Sequence, residues 1–113
     1  MTDKELGEAI LKGLKTTEET KDFYYHQGCS CALGLALVSV LGTTYSNELI
    51  KRTSGNIFDA IIEQLKITKE LGRQISREHH LGIYTAREIA QRLIEGKYSD
   101  VNPLASIVLE GEQ

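Results

Sequence analysis

Apolar positions recur through most of this chain with the spacing of a helix face. Leu6, Ile10 and Leu14 fall at i, i+4 and i+8, behind a Thr2/Glu5 pair of capping-box form. A first helix is therefore predicted over residues 2–15, with Gly7 and Gly13 lowering its propensity and making it a candidate for mobility. Thr16 and Glu19 repeat the capping pattern, predicting a short second helix that carries Phe23, Tyr24 and Tyr25 and ends at Gly28. The stretch Cys31 to Leu41 is apolar all round, through Leu33, Leu35, Leu37, Val38, Val40 and Leu41. It predicts a central helix, capped by Ser30, stopped by Gly42 and covered on most sides. A buried strand through Leu37–Leu41 competes, because Val-Ser-Val favours extended backbone; length and Ala/Leu content favour the helix.

Ser46 or Asn47 can start a short helix through Glu48, Leu49 and Ile50, before a loop at Thr53-Ser54-Gly55-Asn56. The longest pattern follows: Ile57, Phe58, Ile61, Ile62, Leu65, Thr68, Leu71 and Ile75, with charged residues opposite. It predicts one long amphipathic helix capped by Asn56, bent at Gly72 and closing at Gly82. The clearest local signal is Thr85 with Glu88, a capping box flanked by Tyr84 and Ile89 at staple positions. This helix runs through Leu93 and stops at Gly96, followed by a polar loop from Lys97 to Asn102. Asn102-Pro103 suits a new helix start, and the last apolar run, Leu104 to Leu109, fits a short helix or a strand.

The pattern predicts an all-α fold: a single-domain orthogonal bundle of five or six helices around Cys31–Leu41, packed by Ile57, Ile61, Leu65, Ile89 and Leu93. Composition agrees. The chain has 113 residues, 41% hydrophobic and 26% charged, with no Trp, so its core is built from aliphatic residues. The polar start lacks the basic and apolar regions of a secretory signal. The longest apolar stretch falls short of the roughly 20 residues a membrane span needs. A cytoplasmic protein without membrane contact is expected, and Cys29 and Cys31, too close in sequence to bridge readily, are read as thiols.

Three patterns bear on chemistry. His26, Cys29, Cys31, His79 and His80 gather the soft ligands into two short stretches, as zinc would require. The Cys-x-Cys spacing departs from the common frameworks, and small core thiols with surface histidines explain the same residues. No metal or other cofactor is expected. A Cys/His nucleophile pair is the second pattern, but no orienting acid accompanies it, and an inert buried thiol is the simpler account. The third is Thr85 to Leu93, which has the form of the first helix of a helix-turn-helix, with Arg73, Arg77, Arg87 and Arg92 as candidate nucleic-acid contacts. The match stops after Leu93, where the following segment is acidic and contains Pro103. A net charge of −3 also disfavours a broad nucleic-acid footprint.

Cys31-Ala32-Leu33-Gly34 with Thr85-Ala86-Arg87-Glu88-Ile89 resembles a group of small helical proteins of bacteria and their phages. That group has a Cys-x-Leu-Gly-Ala segment, an Asn-Asp pair and a Thr-x-x-Glu-Val/Ile helix start. The resemblance covers about residues 29–95. It departs at Leu35, where the group has Ala, and at His79-His80, where it has Asn-Asp. It implies an all-helical fold and no particular activity. The function expected is a non-enzymatic protein-interaction or regulatory module, with Leu104, Ile107, Val108 and Leu109 as contact residues and a protein partner or self-association as the outcome. The Leu6/Ile10/Leu14 stripe is a second apolar face expected to need a partner. A DNA-binding regulator is the alternative, and a zinc-binding or small-molecule-binding protein, with a pocket near Tyr24, Tyr25 and His26, a further one.

Overall fold

The computed structural model describes residues 1–19, 29–52 and 57–99. Among them the chain forms α1 (Asp3–Gly13), β1 (Glu18–Glu19), β2 (Cys29–Ser30), α2 (Ala32–Leu41), α3 (Thr43–Arg52), α4 (Ile57–Leu65), α5 (Lys69–His80) and α6 (Ala86–Ile94). This is the expected all-α bundle, with α2 in contact with α1, α3, α4 and α5. Every residue from Ala32 to Val38 is buried, which explains why α2 is apolar on all faces. No helix of the described residues is long and apolar enough to cross a membrane.

Helix α1 starts as the sequence indicates. Thr2 Oγ1 accepts the Glu5 N–H at 3.1 Å and the Glu5 carboxylate accepts the Thr2 N–H at 2.9 Å, so two orphan donors are satisfied reciprocally. Leu6 and Ile10 are fully buried, because α1 packs against both α2 and α6. The apolar stripe of α1 is therefore covered within the chain and offers no unfilled face. Its two glycines are the reason it fits. A Cβ on Gly7 would lie 2.6 Å from the Ala90 carbonyl oxygen of α6, and one on Gly13 would collide with the Leu35 carbonyl of α2.

Five local expectations are corrected. The second helix expected from Thr16 is not present in its described part. Glu18 and Glu19 pair in parallel with Cys29 and Ser30, and residues 20–28 lie outside the described residues. Ser30 thereby sits in β2, and the N-cap of α2 is Cys31, which makes no side-chain cap bond. Helix α3 begins at Thr43, directly after Gly42 at φ 83, with Ser46 turned inward and fully buried. The long helix from Ile57 is two helices. Lys66 takes the left-handed conformation at φ 55, and Thr68 caps α5 by accepting the Leu71 N–H at 3.2 Å. Gly72 is no bend; it lets α5 approach Ile62 and Phe58 of α4. Asn56 and the 53–56 loop lie outside the described residues.

Helix α6 carries the predicted box: Thr85 Oγ1 accepts the Glu88 N–H at 3.2 Å and Glu88 accepts the Thr85 N–H at 3.0 Å. Thr85→Ala is expected to lower stability by about 0.5–2 kcal/mol. Urea unfolding with an unchanged midpoint would show that this cap does not hold the helix. The helix packs chiefly on α1 rather than on α2, as had been expected for Ile89 and Leu93, although both side chains join the common core. Tyr98, in the predicted polar loop, is 1% exposed and belongs to the core. Asn102-Pro103 and the run Leu104–Leu109 lie outside the described residues.

Candidate interaction site at the α5–α6 corner

The polar groups of the fold converge where α5 turns into α6. Gln74 and Glu78 stand one turn apart on α5, and Gln74 Nε2 donates to Glu78 Oε2 at 2.8 Å. The other carboxylate oxygen of Glu78 accepts the Tyr98 hydroxyl at 2.5 Å. The main-chain carbonyl of Glu78 accepts the N–H of Ile83 at 2.9 Å and of Tyr84 at 3.4 Å. One buried residue thus fixes the turn after α5 through its backbone and the segment after α6 through its side chain. Burial, followed by the bond to Glu78, pushes the Tyr98 hydroxyl above the ordinary tyrosine range. The Arg92 guanidinium lies 4.4 Å from the Tyr84 ring centre and 5.3 Å from that of Tyr98, closing the network with a cation over two aromatic faces.

A second knot holds the start of α6. Glu19 Oε2 accepts His79 Nε2–H at 2.6 Å and the Ala86 N–H at 2.8 Å. Ala86 is the first residue of α6, so this carboxylate satisfies an orphan amide at the positive end of the helix dipole. His79 is 1% exposed, buried because it has this partner. Glu19→Ala is expected to destabilise the protein by about 1–3 kcal/mol, since it strands a buried imidazole donor. Equal unfolding midpoints for this variant and the parent would show that the pair contributes nothing.

Between the two knots the corner is apolar and open. Leu81 is 60% and Ile83 55% exposed, on either side of Gly82 at φ 75. Among the described residues the other large apolar side chains at the surface, Val40 and Tyr45, lie on α2 and α3. An open cleft of about 410 Å³ runs beside Leu14 to Glu19, lined by that one stretch of chain and so without the convergent polar groups of a ligand pocket.

The residues singled out from sequence have separate fates. His79 is engaged by Glu19, and it is buried, contrary to the expectation of a surface histidine; His80 faces solvent. The β1–β2 pairing sets Glu19 opposite Ser30, and so brings the backbone of Cys29 and Cys31 beside the residue that binds His79. Cys31 is a thiol whose pKa is raised by burial. Among the described residues no group of three or more His, Cys, Asp or Glu side chains is placed to hold a metal. His26, Tyr24 and Tyr25 lie outside the described residues, as do Leu104, Ile107, Val108 and Leu109. Arg73, Arg77 and Arg87 are exposed, whereas Arg92 is committed to Tyr84 and Tyr98. Sequence reasoning missed Leu81 and Ile83, although two aliphatic residues bracketing a glycine between capped helices were a readable signal. Compared with models of known families, with curated proteins and with solved structures, the chain matches none.

Proposed function

We propose that the protein is a small non-enzymatic interaction module that binds a protein, another chain or a second copy of itself, through the Leu81–Ile83 turn. The observation that carries this is the exposure of two large aliphatic side chains on a turn locked from beneath by Glu78. Burying one such side chain in a contact contributes about 1.5–3 kcal/mol. A turn already fixed loses little further freedom on binding, which favours association. The titratable groups of the corner support the same reading, since Glu19, Glu78 and His79 are engaged in holding the frame.

The test is a Leu81→Glu/Ile83→Glu variant of the full chain. Both positions are exposed, so stability should change by only about 0.5 kcal/mol. A discrete protein partner, or a dimer in sedimentation, should accompany the parent at both low and high salt and be lost from the variant. If parent and variant keep the same partners and the same sedimentation behaviour, the turn is not the contact surface. A complex that contains nucleic acid and dissolves steeply as salt rises would instead point to Arg73, Arg77 and Arg87.

A further inference from the structure

The exposed turn at Leu81 and Ile83 is flanked by charge of one sign. Arg73, Arg77 and Leu81 stand at i, i+4 and i+8 on one side of α5 and its cap, a stripe of about 12 Å. Arg87, the second residue of α6, lies four positions beyond Ile83. All three arginines are exposed, and none has an ion pair among the described residues, whereas Lys69, a turn before Arg73, pairs with Asp59 at 3.3 Å. The acids between Arg73 and Glu88 are committed elsewhere. Glu78 is buried against Tyr98 and Gln74, and the Glu88 carboxylate accepts the Thr85 N–H. The surface is thus locally cationic in a chain whose net charge is −3.

Helix dipoles do not account for this arrangement. A cation is favoured at the last turn of a helix, which explains Arg77 but not Arg73 a turn earlier. Arg87 stands at the positive end of α6, where a cation is disfavoured. A partner that covers Leu81 and Ile83 sets its own polar groups against these guanidinium groups with less water between them. There a carboxylate is favoured, by charge and by its fit to the planar fork, and a second cation is repelled. A nucleic-acid backbone would satisfy the arginines but draw nothing from the aliphatic pair.

We propose that the partner of the Leu81–Ile83 turn is an acidic-aliphatic segment of another protein. Its aliphatic side chains seat on Leu81 and Ile83, and two carboxylates about 6 Å apart follow at Arg77 and Arg73. This rests on the interaction reading above and adds the chemistry the partner must have.

A library of random dodecapeptides, displayed and selected against the full chain, tests the proposal. Enriched peptides are expected to combine an aliphatic pair with Asp or Glu on one side of it. A synthetic peptide of that kind should bind Arg73→Glu/Arg77→Glu about tenfold more weakly than the parent. Selection on that variant should return Lys or Arg where the parent returned acids. Lys51→Glu/Arg52→Glu, an equal charge change on exposed residues of α3, should leave selection and affinity as in the parent. No enrichment, enrichment without acids, or an acidic motif kept by Arg73→Glu/Arg77→Glu would overturn the proposal. So would a concentration-dependent dimer lost in Leu81→Glu/Ile83→Glu, which assigns the surface to a second copy. The two claims fail separately. Peptides without acidic preference that are still lost in Leu81→Glu/Ile83→Glu remove the partner chemistry and leave the turn as the contact surface. Binding insensitive to that variant removes the turn itself.

Discussion

Gly13→Ala is expected to destabilise the protein by about 2–3 kcal/mol, although alanine is the better helix former by about 1 kcal/mol. Gly13 is the last residue of α1, and a Cβ there would collide with the carbonyl of Leu35. Leu35 lies in the central helix and is itself fully buried, so its backbone has no room to retreat. Gly72 makes the comparison. There the obstruction is the Cδ1 end of the Ile62 side chain, which a rotamer change moves, so Gly72→Ala should cost less. Urea unfolding of both variants decides the matter. A Gly13→Ala protein as stable as the parent, or more so, would mean that α1 and α2 do not approach as described.

The second large effect belongs to Tyr98. Tyr98→Phe removes the donor to a buried carboxylate and is expected to lower stability by about 1–3 kcal/mol. It should also change the response to alkali. The folded state holds the phenolic proton above its ordinary value of 10.0, through burial and the bond to Glu78, while the unfolded chain releases it near that value. Stability from this group is therefore fully present below pH 10 and falls as pH rises above it, with a limiting slope of about 1.4 kcal/mol per pH unit. The Phe variant should be less stable at neutral pH yet lose less on going to alkaline pH. Parallel pH profiles for the two proteins would show that Tyr98 is not a buried donor.

These positions show where the sequence was legible. The boxes at Thr2/Glu5 and Thr85/Glu88 were readable because each is complete within one helical turn. The apolar run of α2 was readable because burial on every side needs apolar residues on every side. The break between α4 and α5 was hidden: Leu65, Thr68 and Leu71 continue the helical spacing across it, and no residue type announces a left-handed lysine. Gly7 and Gly13 read as weak points because their value lies in the neighbouring helices, which propensity does not see. Glu19 and His79 lie 60 residues apart, so their pairing left no local trace, and the acid looked like a cap for a helix of its own. Tyr98 sat among polar neighbours, and its partners in the core, the carboxylate of Glu78 and the guanidinium of Arg92, lie 20 residues away and on the preceding helix, where local pattern does not show them.

The most direct test of the interaction surface is site-specific photo-cross-linking in the cells that make the protein. A benzophenone side chain is placed at Ile83 in one chain and at exposed Glu8 of α1 in another. The proposed contact predicts a discrete cross-linked protein product at Ile83, abolished when Leu81→Glu is added, with none at Glu8. Equal labelling at the two positions, or an Ile83 product indifferent to Leu81→Glu, would contradict it.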